Sequence, residues 1–300
     1  MPSSARDDGL SEVVGFVLLL AVIVVALSLY QVYGVPAVGR ENEIAHMNQV
    51  KDRFVDYKIA LDSLWVNNRH GVLLSTAFDL GTGAPATAGS AFSLPILNPA
   101  GSGGTVSVKS GGASLTIEPE GGSPVTIPLG NLTYRSSNNY WVDQTWTYQM
   151  GAVFLSQEGG TTVRVGPSIA VAKTRDDNIS LTVAPIRIEG SDMIAGSGPM
   201  RIETRMRLSN TSSVDGVYDR VNLTIEANDA DDVAWKRAFD EVRQRAKDEN
   251  VTSLPTPELF DGNKSVRLTI KPEADDKKVF LSVYPANYTV TIHNAASLVE

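Results

Sequence analysis

Residues Val13-Val-Gly-Phe-Val-Leu-Leu-Leu-Ala-Val-Ile-Val-Val-Ala-Leu27 form an almost wholly apolar stretch that contains no charged residue. An α-helix rises about 1.5 Å per residue, so a helix that continues to Tyr33 would span roughly the 30 Å hydrocarbon core of a bilayer. The stretch therefore predicts a membrane-spanning helix or a helix buried in an assembly. Gly34 and Pro36 follow it and predict an interruption of the helix.

The residues before this stretch are Met1-Pro-Ser-Ser-Ala-Arg-Asp-Asp-Gly9, followed by Leu10-Ser11-Glu12. A short polar leader, a glycine and a Ser-Glu pair ahead of a long apolar helix resemble the class III signal of archaeal type IV pilins and archaellins. The resemblance implies that a prepilin peptidase cuts after Gly9 and leaves Leu10 as the new N-terminus. The chain would then consist of a leader at 1–9 and a transmembrane or assembly helix at 10–35. The alternative is an uncleaved single-pass anchor.

Glu12 lies two residues after the expected new N-terminus. In the pilin family, an acid near that terminus is implied to pair with the amine of a neighbouring subunit. A charge in an apolar bundle is costly unless it is paired, so such a residue can set the register of assembly. The alternative, which the sequence supports equally, is that Glu12 is an ordinary acid at the N-terminus of the helix on the membrane surface.

The composition excludes some classes of function. The net charge is −8, which argues against a nucleic-acid partner because phosphate binding needs clustered Lys and Arg. The chain has no cysteine, so disulfides, thiol catalysis and cysteine-ligated metals are excluded.

Seven Asn-x-Ser/Thr acceptors occur, and all of them lie far from the apolar stretch. Such acceptors are typical of exposed positions in an exported domain, although Thr-rich strand faces would raise their number without any glycan. We therefore expect the C-terminal part to be exported. The glycosylation candidates are Asn131, Asn178, Asn210, Asn222, Asn250, Asn263 and Asn287.

Residues 36–68 predict an amphipathic stalk helix. Its apolar residues repeat with alternating spacings of three and four, which is the seam of a heptad. The seam residues are Met47, Val50, Phe54, Tyr57, Leu61 and Leu64. The helix packs on its own globular domain, or continues the anchor into a filament core, or does both on different faces, and packing on the domain is the favoured interpretation.

Residues 69–300 predict a β-rich extracellular domain, with a possible internal boundary near 190–220. Short segments alternate apolar and polar residues between turn signals such as Gly111-Gly112, which indicates an antiparallel sandwich or barrel, and we expect the sandwich. The aromatic stretch Tyr134–Tyr148 predicts the packed side of two strands with some rings at an edge, and the less favoured alternative is a surface that stacks on sugars. Asn228–Lys247 predicts one inserted helix whose buried stripe contains Val233, Ala234, Trp235, Phe239 and Val242. The predicted fold class is α+β.

Catalytic chemistry leaves little trace in this sequence. The three histidines, His46, His70 and His293, do not have zinc-binding spacing, and no nucleophile elbow or phosphate-binding glycine loop occurs. We expect no catalytic residue, no metal site and no cofactor, and we do not expect an enzyme.

The expected function is that of a pilin-like structural subunit or a pilus-associated surface protein of an archaeon. Its expected partners are the membrane, a prepilin peptidase, and copies of itself or other pilin subunits along the N-terminal helix. The expected location is the cell membrane, with the C-terminal domain outside, or a surface filament. The alternative is a single-pass anchored extracellular binding or adhesion domain that does not polymerise.

Overall fold

A computed structural model describes residues 5–83, 97–208, 214–227, 232–260 and 264–294, and the side chains of 5–11 and Asp232 are outside the description. The chain begins, within these ranges, as one helical rod. It consists of α1 (Ala5–Leu29), a π-helical turn (Tyr30–Gly34) and α2 (Val35–Val66). The prediction of a long apolar helix that continues into an amphipathic helix is confirmed.

The predicted interruption at Gly34 and Pro36 is wrong. Pro36 lies in the first turn of α2, where a missing backbone N–H is tolerated. The backbone N–H of Val35 bonds to the carbonyl of Tyr30, five residues back. This wider turn absorbs the proline without ending the helix.

Among the described residues, the remaining elements are seventeen strands and one helix. Their bounds are β1 (Leu73–Asp79), β2 (Gly103–Pro119), β3 (Val125–Ser137), β4 (Thr145–Gln149), β5 (Ala152–Gln157), β6 (Gly160–Val165), β7 (Ile169–Lys173), β8 (Ile179–Val183), β9 (Ile186–Glu189), β10 (Met193–Gly196), β11 (Pro199–Arg207), β12 (Gly216–Tyr218), β13 (Val221–Ala227), α3 (Asp232–Asp248), β14 (Glu258–Phe260), β15 (Ser265–Ile270), β16 (Val279–Val283) and β17 (Ala286–Asn294).

The strands form one large central sheet and two four-stranded sheets. The central sheet has the order β14-β15-β13-β2-β3-β4-β5-β6, and β10 pairs with β2 beside it. The smaller sheets have the orders β1-β11-β17-β9 and β12-β16-β8-β7. Pairing is antiparallel except between β9 and β17 and between β8 and β16. The predicted α+β class, with a mainly antiparallel sandwich, is confirmed.

The long strand β2 corrects one sequence prediction. Gly111-Gly112 is not a turn between two strands but an irregularity within one strand, where the pairing with β3 shifts between Lys109 and Ala113. Gly112 has a φ of 102°, which glycine adopts without the steric cost that a Cβ would bring. The strand therefore passes through the irregularity and continues on the same partner.

Two hydrophobic cores lie on opposite faces of the central sheet. Side chains alternate along a strand, so Ile127 and Leu129 of β3 face one side, and Leu132 and Tyr134 face the other. The first pair belongs to the distal core, which contains α3 and the sheet of β12, β16, β8 and β7. The second pair belongs to the stalk core, which contains α2 and the sheet of β1, β11, β17 and β9. The predicted boundary near 190–220 stays a prediction.

Gly130 lies between these two pairs on β3. A Cβ at this position would overlap the backbone carbonyls of Ile188 on β9 and Lys109 on β2. The absence of a side chain therefore lets β9 pack directly on the central sheet where the buried face changes.

The heptad seam of α2 is buried as predicted. Met47, Val50, Phe54, Tyr57 and Leu61 are buried in the stalk core, and Leu64 packs against it. The favoured interpretation, that the helix packs on its own domain, is confirmed.

The predicted stripe of α3 is confirmed at four positions and wrong at Val233. Ala234, Trp235, Phe239 and Val242 are buried, whereas Val233 is 52% exposed. The buried stripe is centred near Val242. Val233 lies nine residues before Val242, which is two and a half turns of an α-helix. Val233 therefore lies on the opposite side of α3.

Candidate membrane and assembly helix

The apolar part of α1 stands outside both cores. Every residue from Glu12 to Tyr33 is exposed, and an 18-residue window in this helix has a mean hydropathy of 2.9. The exposed fractions include 59% for Leu19, 68% for Val22 and 72% for Tyr33. Exposed apolar side chains of this extent in water are unfavourable, at about 25 cal/mol for each Å². The described residues therefore contain one helix that is long and apolar enough to cross a membrane or to be covered by other helices.

The predicted processing residues lie at the beginning of this helix. Gly9 and Leu10 are within the helical bounds of α1, and Glu12 is exposed and directly precedes the apolar stretch. Their roles in cleavage and assembly stay predictions.

A clamp fastens the helical rod to the central sheet just after the apolar part. The carboxylate of Glu43 is 1% exposed and accepts backbone hydrogen bonds from Asn139 at 2.7 Å and from Tyr140 at 2.8 Å. One turn earlier, the ring of Tyr140 occupies the space that a Cβ on Gly39 would need. We call Gly39, Glu43 and the turn of residues 138–141 the clamp.

Other contacts hold the turn of the clamp in place. The guanidinium of Arg40 lies 4.4 Å from the centre of the Trp141 ring, a cation–π contact. The backbone N–H of Ala100 donates to the Tyr140 hydroxyl at 3.0 Å, and the Asn139 side-chain amide donates to the Gly101 carbonyl at 3.0 Å. The turn is therefore bonded both to the helix and to the chain that enters β2.

The sequence interpretation missed Glu43, although a signal for it exists. Counting back from Met47 by four residues, the spacing of the seam reaches Glu43, and Gly39 lies four residues before Glu43, one turn away on the same side of the helix. An acid on an apolar seam needs hydrogen-bond donors, because a buried carboxylate without partners is strongly unfavourable. The donors here are backbone groups of a distant turn, which spacing along the helix cannot show.

Four buried tyrosines join α2 to the sheets farther along. The Tyr57 hydroxyl is 2.8 Å from the Thr204 hydroxyl, and the Tyr288 hydroxyl donates to the Leu61 carbonyl at 2.7 Å. Tyr148 packs edge-on against Tyr57 with ring centres 5.4 Å apart. Burial raises the pKa of each phenol above its usual value. The buried tyrosines are Tyr57, Tyr134, Tyr148 and Tyr288.

The predicted aromatic stretch is thereby largely confirmed. Tyr134, Trp146 and Tyr148 are buried on the packed side of β3 and β4, whereas Tyr140 and Trp141 lie in the turn of the clamp and contact α2. The rings fasten the stalk to the domain.

Residues 101–283 match the model of a family of unknown function (DUF7289). The chain belongs to this family. No curated protein and no solved structure matches the chain. Every buried residue of the distal core, from Ala113 to Val283, lies inside the matched range of the DUF7289 chain, whereas α2, β1 and β17 of the stalk core lie outside it.

A groove of about 870 Å³ lies on the central sheet of this DUF7289 protein, on the part of the face that the distal core leaves uncovered. The groove is lined by two basic residues, Lys109 and Arg135, and none of its described lining residues is an acid. The Asn131 side-chain oxygen is buried there without a hydrogen-bond partner among the described residues. The hydroxyl side chains that line the groove include Thr105, Ser107, Thr133, Thr145, Thr147 and Ser156.

The glycosylation candidates have different surroundings. Asn131, Asn222 and Asn287 lie within β3, β13 and β17, and Asn178 accepts a backbone hydrogen bond from Lys278 at 2.8 Å. Asn250 is exposed in the turn after α3. The remaining candidates, Asn210 and Asn263, lie outside the described residues.

The histidines have separate structural contacts. His46 is buried, with its Nε2 3.0 Å from the Asp79 carbonyl oxygen, and the His293 Nε2 is 3.4 Å from the Glu203 carboxylate. Among the side chains that the structure describes, no group of three His, Asp or Glu residues is placed to hold a metal ion.

Proposed function

We propose that this chain is a pilin-like structural subunit, or a pilus-associated surface protein, of an archaeon, and that it is anchored or assembled through α1. One observation carries the proposal. The exposed apolar helix continues without a break into α2, and α2 is a buried part of the stalk core. A chain built in this way presents one apolar rod to lipid or to other helices and holds a folded domain at its end.

In this proposal, a prepilin peptidase cuts after Gly9 on the cytoplasmic side. The helix that begins at Leu10 then remains in the membrane as a single-pass anchor, or leaves it to bundle with copies of itself or with other pilin subunits. Glu12 pairs with the N-terminal amine of a neighbour, because a carboxylate in an apolar bundle is stable only when it is paired.

The β-rich domain is placed outside the cell in this proposal, on the surface or on a filament. Four acceptor asparagines that lie partly exposed on its strands and loops, and one that is exposed, support this location. The role is structural, without catalysis, cofactor or nucleic acid.

The test is the N-terminal residue of the mature protein, measured by mass spectrometry on membrane and sheared surface fractions of the native host. We expect a start at Leu10 in both fractions. We also expect Glu12→Gln to be processed but to be lost from the sheared fraction. Glu41→Gln, which changes the same charge at an exposed position of α2, should behave like the unchanged protein. An intact Met1 or Pro2 would contradict processing, and equal amounts of both variants in the sheared fraction would contradict the role of Glu12.

A second candidate function is a single-pass anchored binding or adhesion domain that does not polymerise, and the groove supports it. Its volume is in the range of small-ligand sites, and its hydroxyl and amide groups suit a carbohydrate or a cell-wall polymer. Binding of the detergent-solubilised full chain to purified cell-wall polysaccharide would test it. Arg135→Ala should weaken binding, and Arg175→Ala at an exposed turn far along the chain should not. Equal binding by both variants would contradict a site in the groove.

A further inference from the structure

The turn after α3 contains an acceptor asparagine in a setting that differs from the other described acceptors. Asn250 begins the sequence Asn250-Val251-Thr252, and its side chain is exposed. Its φ is 62°, in the left-handed region, where Asn is one of the few residues other than Gly that occur readily.

Backbone hydrogen bonds alone fix this turn. The Asn250 N–H donates to the Lys247 carbonyl at 3.0 Å, and the Val251 N–H donates to the Ala246 carbonyl at 2.8 Å. These two bonds form a Schellman motif, and the Val251 side chain is buried at 3% exposure beneath it. The Asn250 side chain is therefore not needed to hold the turn.

The other described acceptors take part in the fold. The Asn222 side-chain oxygen accepts a hydrogen bond from the Thr269 hydroxyl at 3.0 Å, and the Asn178 oxygen accepts the Lys278 N–H. The Asn131 oxygen is buried, and Asn287 lies on β17 between two paired strands. The side-chain oxygen is bonded in Asn178 and Asn222 and buried in Asn131, and Asn287 stands on a paired strand, so these four side chains are held in place by the fold.

A pocket of about 190 Å³ opens beside Asn250. Lys173, Lys277, Thr252 and Ser253 are among its lining residues. Ammonium and hydroxyl groups donate hydrogen bonds to the ring and hydroxyl oxygens of a sugar. Lys173 is paired with Asp177 at 2.9 Å and Thr252 donates to Glu273 at 2.8 Å, but an ammonium has three protons and can donate to a sugar oxygen as well. The surroundings of Asn250 therefore offer space and a charged donor beside the first sugar of a glycan.

We propose that Asn250 is an N-glycosylation site of this protein and that Asn131, Asn178, Asn222 and Asn287 are not. The donor is an oligosaccharide joined through its C1 atom to a lipid phosphate. A bond forms between the Asn250 amide nitrogen and C1, the C1–O bond to the phosphate breaks with its electron pair leaving on the phosphate, and the nitrogen loses one proton. The inference rests on the proposed export of the β-rich domain.

The test uses the full chain purified from its native host. Trypsin releases 248–264, which also contains Asn263, and a glutamate-specific protease then separates Asn250 from Asn263 by cutting after Glu249 and Glu258. We expect the peptide with Asn250 to carry a glycan mass and the peptides with the other four acceptors to be unmodified.

Two variants sharpen the result. Asn250→Gly removes the acceptor and keeps the left-handed turn, so we expect a folded protein that lacks one glycan mass. Thr252→Ser keeps the acceptor sequence and should keep the glycan.

Digestion of intact cells by an added protease reports separately whether the domain is outside. An external domain with an unmodified Asn250, or with a glycan on any of the four strand and loop acceptors, overturns the inference and leaves the proposed function standing. A glycan on Asn250 of a chain that still begins at Met1 supports the inference and contradicts pilin-type processing. A domain that is protected from the protease overturns both.

Discussion

Replacing Glu43 with alanine tests whether the clamp holds the helical rod to the β-rich domain. The change removes the acceptor of two backbone hydrogen bonds, from Asn139 and Tyr140, in a place where the carboxylate is 1% exposed. Hydrogen bonds to a charged group contribute about 1.5–3 kcal/mol each, and water entering the opened site recovers a part of that. We therefore expect the clamp to lose about 2–4 kcal/mol, equivalent to roughly 30- to 1000-fold in an opening equilibrium.

Amide hydrogen exchange of the detergent-solubilised full chain measures this directly. The amides of Asn139 and Tyr140 should exchange faster by that factor, while amides of the distal core should not change. Glu43→Gln keeps one acceptor oxygen and should have an intermediate effect. Glu41→Ala, an exposed position on the same helix, is the control and should change exchange little. Equal protection of the two amides in the Glu43→Ala and Glu41→Ala proteins would refute the clamp.

Three further outcomes follow from the packing. Leu61→Ala should lower the free energy of unfolding by about 2–5 kcal/mol because Leu61 is fully buried, and chemical denaturation measures this. Ile59→Ala, on the same helix at 60% exposure, is the control and should have little effect. Gly130→Ala should destabilise the domain because the added Cβ would overlap two backbone carbonyls. Gly111→Ala is the control and should have little effect, because the space around Gly111 is open. Similar thermal unfolding of both variants would contradict the close approach of β9. Burial raises the pKa of the four buried tyrosines in the folded protein, so above about pH 10 these phenols ionise only in the unfolded chain. The free energy of unfolding should therefore fall as the pH rises above about 10, by about 1.4 kcal/mol per pH unit for each tyrosine. Denaturation midpoints that stay constant between pH 10 and 11 would show that these phenols ionise in the folded protein.

Apart from the interruption expected at Gly34 and Pro36, the sequence predicts the helices well because the signals are local. The uncharged stretch, the heptad seam of α2 and the stripe of α3 depend on residues three or four apart on one helix. The single error in the α3 stripe, Val233, comes from extending the apolar set by one residue past the buried face. Strand alternation likewise predicts that the domain after the stalk helix is β-rich and mainly antiparallel.

Features that depend on distant partners were not predictable in this way. Gly111-Gly112 has the composition of a turn, and only the continuous pairing with β3 makes it an irregularity inside one strand. The clamp joins Glu43 to a turn almost a hundred residues away. The change of buried face at Gly130 depends on β9 packing across the strand, which no alternation pattern in β3 reveals.

The continuity of α1 and α2 has a geometric consequence for any assembly built on the apolar rod. Because α2 is both the stalk and a part of the stalk core, the domain cannot swivel on its helix. An α-helix turns about 100° and rises about 1.5 Å for each residue. A shift of one residue in the register of α1 against its neighbours would therefore rotate the whole domain by about 100°, and would change the direction in which the groove and Asn250 point from the axis.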